Sequence, residues 1–343
     1  MAIALIRFLA GAVAVLALYG AGEPQPPAGP VAGVRTLLHA HNCYPEDGHW
    51  PDRLDRALAT GAMPMAIEQD LAWAPAADGR PGRSVVSHDP ELRGTEPTLE
   101  EHFFARVRPL MERALAENRQ DQWPLLVLHL DFKTHEPEHH QAVWDLLAHH
   151  RRWLTTVDKT ADAATVTPFS RGPLLVLTEN GPGQERYFFE RLLVGDRLLL
   201  FGTTPGPTLP EIESADRARM LATLPVETLV PSGATNYRRW TNFGWNVVER
   251  GGQAGAGEWT ADDAARLRAI VARAHSLGLW TRFYTLNGHD ASANRGWTAG
   301  YNFGSLAAVR RRWQAAIAAG VDFVATDQYE DFARMLPGRD RGR

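Results

Sequence analysis

From about residue 35 onward the chain alternates two kinds of pattern. Short apolar runs at Arg35–His39, Met65–Leu71, Ser84–Ser87, Leu125–Phe132, Pro173–Thr178, Arg197–Phe201, Leu279–Leu286 and Val321–Thr326 read as strands. The stretches between them carry apolar residues at helical spacing, with recognisable ends. Thr98-Leu-Glu-Glu101 is a capping box ahead of Phe103, Val107, Leu110, Met111 and Ala114. Thr260 and Asp263 open a second helix that runs through Leu267, Ile270, Val271 and Ala274 to Gly278; a third starts near Ser305, buries Leu306, Val309, Trp313 and Ile317, and stops at Gly320. Strands that alternate with helices pair in parallel through crossovers, and eight such units are enough to close a distorted (β/α)8 barrel of the α/β class; an open doubly wound sheet is the second arrangement. The stretch 203–257 breaks the rhythm and reads as a long irregular loop region, whose aromatics either line a site or pack over the barrel mouth, with Trp240 and Trp245 either packing in a surface loop or touching lipid.

The chain has 343 residues, 44% of them hydrophobic, which fits one large α/β domain or two smaller ones; the strand pattern places one at 34–337, followed by a polar tail at 338–343. A net charge of -4 supplies no general field for a polyanion and argues against nucleic acid as the partner. A single cysteine, Cys43, excludes an intrachain disulfide and any cysteine-rich metal site. The first 21 residues differ in kind: one basic residue, Arg7, then an unbroken apolar and small-residue run from Phe8 to Tyr19, broken by Gly20-Ala-Gly-Glu-Pro. That reads as a signal peptide followed by a Pro/Gly-rich linker at 22–33, and predicts a secreted or periplasmic protein, or a membrane-anchored one if the segment stays uncleaved.

The chemistry is concentrated in Pro64-Met-Ala-Ile-Glu-Gln-Asp-Leu-Ala-Trp73. As a strand it turns Glu68 and Asp70 to one face and Ile67 and Leu71 to the other. Two carboxylates side by side repel unless a cation or a proton bridges them, or water solvates them, and the apolar flanks argue against a solvated strand. Strand ends elsewhere add His39 and His41 in Leu38-His-Ala-His-Asn42, His88 in Ser87-His-Asp89, and His129, Asp131 and Lys133 in Leu128-His-Leu-Asp-Phe-Lys133. Barrel enzymes gather their chemistry at the C-terminal ends of the strands. Glu68, Asp70 and Asp131 are hard oxygen donors with no thiolate beside them, which suits one Mg²⁺ or Ca²⁺ ion. His41 and His88 suit general acid–base work near neutral pH, and Lys133 supplies a fixed positive charge. A cation, a lysine and two imidazoles around one cavity match the needs of in-line attack on a phosphodiester, where charge builds on the equatorial oxygens.

These residues, in order, resemble the phospholipase-C-like phosphodiesterase superfamily, which includes glycerophosphodiester phosphodiesterases, phosphatidylinositol-specific phospholipase C and the sphingomyelinase D type. The resemblance runs from about Arg35 to Phe332 and closes with Gly320-Val-Asp-Phe-Val-Ala-Thr-Asp327. It implies a distorted TIM barrel with His41 and His88 as the catalytic histidines and Glu68, Asp70 and Asp131 as metal ligands. Asp131-Phe-Lys-Thr134 is similar to the Asp-Leu-Lys-Thr of the sphingomyelinase D type, and Tyr284 in Phe283-Tyr-Thr-Leu-Asn287 takes the family's aromatic place. Asn42 and Cys43 stand where glycerophosphodiesterases carry Arg and Gly, so the string His39-Ala-His-Asn-Cys-Tyr44 is nearest the subgroup that contains altered-inheritance-of-mitochondria proteins. The expected substrate is a glycerophosphodiester or a lipid-derived phosphodiester, cleaved by water or by its own hydroxyl with release of a cyclic phosphate. A lipid substrate would bring peripheral membrane contact. His39, Asn42, His129, Glu179, Arg282 and Tyr284 are the expected substrate contacts. An amidohydrolase-type metallohydrolase wants histidines at later strand ends, where Thr178-Glu-Asn180 and Phe201-Gly202 offer none. A non-catalytic metal- or ligand-binding barrel fits the substitutions at Asn42 and Cys43 but leaves the filled acid–base positions without a purpose.

Overall fold

Leu37–Ala40 (β1) hydrogen-bonds in parallel on both sides, to Phe323–Thr326 on one flank and to the start of Met65–Ala74 (β2) on the other. That double pairing closes a ring. The remaining staves are Leu126–Phe132 (β3), Leu174–Thr178 (β4), Phe201–Thr203 (β5), Arg238–Gly244 (β6) and Trp280–Tyr284 (β7), with Phe323–Thr326 as β8. Each pairs in parallel with its neighbour in sequence, so the chain is a (β/α)8 barrel. The computed structural model describes residue 33 and residues 35–337, apart from 46–48, 78, 119–122, 211–213, 250–256 and 291–301. The expected signal segment, all of the linker but Gly33, the glycine-rich 251–256 and the polar tail lie outside the described residues. Among those described, no helix is long and apolar enough to cross a membrane.

The number of staves matches the sequence pattern, but two of their identities do not. The run at Ser84–Ser87 forms Arg83–Val86, which pairs antiparallel with the end of β2, Leu71 opposite Val86 and Ala74 opposite Arg83. It is a hairpin arm outside the ring. A four-residue apolar run carries no information about strand direction, which is why it passes for a stave. The missing stave is β6, inside the stretch read as irregular loop. Arg-Arg-Trp-Thr-Asn-Phe-Gly has no continuous apolar run because Arg239 and Thr241 are buried on one face and half-buried Asn242 stands beside Trp240 on the other. The apolar run Arg197–Phe201 also divides. Arg197–Leu198 pairs antiparallel with Val157–Asp158, and the stave itself begins at Phe201.

Trp240 and Trp245 are fully buried and therefore unavailable to lipid. Trp240 points into the barrel against the His129 ring, centroids 4.9 Å apart, and its Nε1 donates to the Thr178 carbonyl at 3.1 Å. Trp245 Nε1 donates to Glu249, a buried carboxylate that Arg312 grips at 2.6 and 3.0 Å. The helix ends follow the sequence signals. Thr260 and Asp263 form a reciprocal capping box at the head of Ala261–Ser276, and Ser305 caps Leu306–Ala319 through the Ala308 amide. Gly278 and Gly320 take the positive φ angles of 75° and 77° that end those helices. The Thr98–Glu101 cap is also present, though the first turn, Glu100–Phe104, is π-helical before Ala105–Ala116 continues as α-helix.

Ile67 is fully buried on the outer face of β2, away from Glu68 and Asp70. Ile67→Ala should cost about 2–4 kcal/mol in equilibrium denaturation.

Candidate active site

Register decides which side chains meet. In parallel pairing, residues opposite one another point to the same side, and β2 lies against β3 with Glu68 beside His129 and Asp70 beside Asp131. On the far side of the barrel, Arg282 of β7 lies beside Asn242 of β6. The interior of this barrel therefore carries a buried polar layer in place of the usual apolar one. His39, Glu68, His129 and Arg282 are all nearly inaccessible to solvent.

Arg282 is the centre of that layer. Its Nε donates to His39 Nδ1 at 2.7 Å, Nη1 to Asn242 Oδ1 at 3.0 Å and Nη2 to Glu68 Oε1 at 2.7 Å. The Tyr284 ring covers the guanidinium, 5.1 Å from its centroid. His129 stands with its two ring nitrogens 3.3 Å from Glu68 and 3.2 Å from Glu179, at ion-pair distances without the alignment of hydrogen bonds. Asn242 Nδ2 donates to Glu179 at 2.7 Å. Burial alone would raise the Glu68 carboxyl, but Arg282, His41 and His129 outweigh it and hold Glu68 well below the usual carboxylate range. Burial and the neighbouring Arg282 keep His39 neutral, whereas His129 is raised, because Glu179 and Glu68 overcome its burial.

Above this layer stand two imidazole–carboxylate pairs. His41 meets Asp327 through Nδ1 at 2.9 Å, which turns Nε2 toward Glu68, 3.7 Å from Oε2. His88, half-exposed at the root of the loop that follows the hairpin arm, meets Asp70 through Nδ1 at 2.7 Å. Asp327 is held low against its burial by His41 and Arg53. Its other oxygen accepts from Asn287 Nδ2 at 3.0 Å, while the Asp327 amide donates to Asn287 Oδ1 at 2.8 Å. Asn42 adopts a left-handed φ of 49°, a conformation that asparagine tolerates better than most residues. There its amide donates to Glu68 at 2.9 Å, its side chain donates to Asp327 at 3.2 Å and Arg53 donates to its carbonyl at 2.7 Å.

Glu68, Asp70 and Asp131 bring carboxylate oxygens within 4.8 Å of one another. Two oxygens on one Ca²⁺ stand at most roughly 5 Å apart, so the trio fits a hard divalent cation. That a positive charge is stable here is visible in Lys133, whose Nζ bridges Asp70 at 2.9 Å and Asp131 at 2.7 Å. The two carboxylates hold the lysine strongly protonated against its burial. Asp131 itself is pushed up to about 6 by burial, Asp70 and Glu179, with Lys133 opposing.

All the residues singled out in the sequence fall in this one network: His39, His41, Asn42, Glu68, Asp70, His88, His129, Asp131, Lys133, Glu179, Arg282 and Tyr284, the last stacked on His41 with ring centroids 6.3 Å apart. Sequence reasoning missed Tyr44, whose hydroxyl donates to Asp70 at 2.7 Å and lies 2.9 Å from Asn42 Oδ1, and Asn242 and Asn287. Tyr44 stood in the string read for its histidines, so position alone could have flagged it. Asn242 was hidden with its strand. Cys43 is buried, and burial pushes its thiol up to about 12, which makes it a packing residue.

No family model and no curated protein matches the chain. Among solved structures it is similar to a calcium-dependent phosphoinositol-specific phospholipase C from a Pseudomonas species, at 13% identity over 92% of this chain and 95% of that one, with a TM-score of 0.43. It is also similar to dihydropteroate synthase of Xanthomonas albilineans, at 14% identity over 88% of this chain and 91% of that one, with a TM-score of 0.37. Likeness at this level carries no argument about chemistry, and the barrel rests on its own strand pairing.

Because Asp131 is protonated below about 6, a cation must displace that proton in acid. Calorimetric Ca²⁺ or Mg²⁺ affinity should therefore fall about tenfold per pH unit below that point and level off above it, and Asp131→Asn should weaken binding and flatten the profile.

Proposed function

We propose that the chain is a divalent-cation-dependent phosphodiesterase acting on a glycerophosphodiester or a lipid-derived phosphodiester, of the phospholipase-C-like kind that its motifs resemble. One observation carries this reading: two imidazoles, each backed by a carboxylate through Nδ1, stand beside the two members of the Glu68-x-Asp70 pair. Asp327 and Asp70 fix the tautomer of each ring, so that Nε2 is the nitrogen that exchanges protons with substrate. His41 takes the proton of the attacking hydroxyl as its oxygen bonds to phosphorus, and His88 gives a proton to the oxygen that leaves. Lys133 holds Asp70 and Asp131 close without leaving their charges unpaired. A Mg²⁺ or Ca²⁺ ion held by Glu68, Asp70 and Asp131 would supply positive charge to the phosphoryl oxygens. The buried layer beneath, with Glu68 and Arg282 sealed from water, strengthens the interactions that Glu68 makes.

The purified protein should hydrolyse bis(p-nitrophenyl) phosphate or a glycerophosphodiester and lose that activity in EDTA. His41→Ala and His88→Ala should each lower kcat by about 10²–10⁴, and full activity in His41→Ala would remove the assignment. Phosphorus NMR of the product separates attack by water, which yields a monoester, from attack by the substrate's own hydroxyl, which yields a cyclic phosphate.

A further inference from the structure

Beneath the carboxylate trio lies a second group with the spacing of a metal site. His39, Glu68 and His129 present ligand atoms within 4.8 Å of one another, all three buried. Two imidazoles and one carboxylate are a donor set that suits borderline transition metals such as Zn²⁺ better than Mg²⁺ or Ca²⁺. Two observations explain what stands there instead. Arg282 donates Nε to His39 Nδ1 and Nη2 to Glu68 Oε1, both at 2.7 Å, so its guanidinium already engages two of the three donors. His39 Nε2 and both nitrogens of His129 lack an aligned hydrogen bond, although they are sealed from solvent.

We propose that Arg282 is the resident cation of this pocket, and that it keeps transition metals out of a latent two-histidine, one-carboxylate site. Guanidinium is a donor-only group, so His39 Nδ1 must present its lone pair to Arg282 and carry its proton on Nε2. A metal would need that same lone pair. Arginine cannot vacate the pocket by losing a proton, as a lysine could, and its planar fork reaches His39, Asn242 and Glu68 together. Glu68 belongs to both groups. With one oxygen turned to Arg282 and the other to the Asn42 amide and His41, it is fixed for the upper site while the lower one is filled. The inference rests on this geometry and holds whatever ester the barrel cleaves.

The test is Zn²⁺ titration of wild type and Arg282→Met, followed by calorimetry and by the ring nitrogen-15 resonances of histidine. Wild-type His39 and His129 should not shift. Arg282→Met should gain Zn²⁺ affinity by roughly a hundredfold, with both rings shifting, and His39→Ala in that background should abolish the gain. If Arg282→Met is unfolded without metal, recovery of folding on adding Zn²⁺ supports the proposal and failure to recover overturns it. Wild-type rings that shift with Zn²⁺, or a folded Arg282→Met that gains no site, would also overturn it.

Discussion

The constraint on which this barrel depends is the cost of holding like charges in register inside it. Parallel pairing sets Asp70 directly beside Asp131, and Glu68 of the same strand faces Glu179 across the His129 ring. Carboxylates removed from water and set side by side cost several kcal/mol each unless they are paired. The fold meets that cost with two cations of different reach. Lys133, two residues beyond Asp131, curls back over the upper pair, and Arg282 crosses the barrel from β7 to Glu68. His129 stands between Glu68 and Glu179, 3.3 and 3.2 Å from them. The Asp131 carboxyl, with Asp70 and Glu179 near it, is pushed up.

This balance explains which parts of the molecule were legible in the sequence. Four early strand ends carry their histidines and carboxylates in short, recognisable strings, and the period of two sorts Glu68 and Asp70 from Ile67 and Leu71 without further help. The helix caps were equally plain, because a cap is a local hydrogen bond between residues three apart. Partnership across the barrel was not plain. Nothing near Arg282 in sequence names Glu68 as its partner, 214 residues away. The carboxylates and Lys133 could therefore be assembled from the strings, whereas the pairing of Glu68 with Arg282 could not.

The strand that escaped notice did so for the same physical reason. β6 contributes Trp240 and Asn242 to the barrel interior, and both serve the polar layer: one packs on His129 and the other bridges Arg282 to Glu179. A stave that lines a charged interior has no apolar alternation to display. The hairpin arm erred in the opposite direction, since its apolar residues pack against β2 and the helices outside the ring. Hydrophobic periodicity reports burial, and in this barrel burial and membership of the ring part company at the site.

The hairpin arm separates His88 from its counterpart in a further way. His41 follows directly from a stave, whereas His88 rides on a loop after Arg83–Val86. The root of that arm is clamped: His139 bonds Ser84 at 2.9 Å and Thr134 at 2.9 Å, and burial keeps the His139 ring neutral. Beyond the clamp, Asp89 to Glu91 stand exposed. His41 is thus fixed by the end of a stave, whereas His88 stands on a loop tied to β2 through the Ser87 amide and its own bond to Asp70. Beyond Ser87 the loop carries no pairing of its own with a stave among the described residues, so insertions or deletions after His88 would reshape the cleft beside it while the ring stayed as it is.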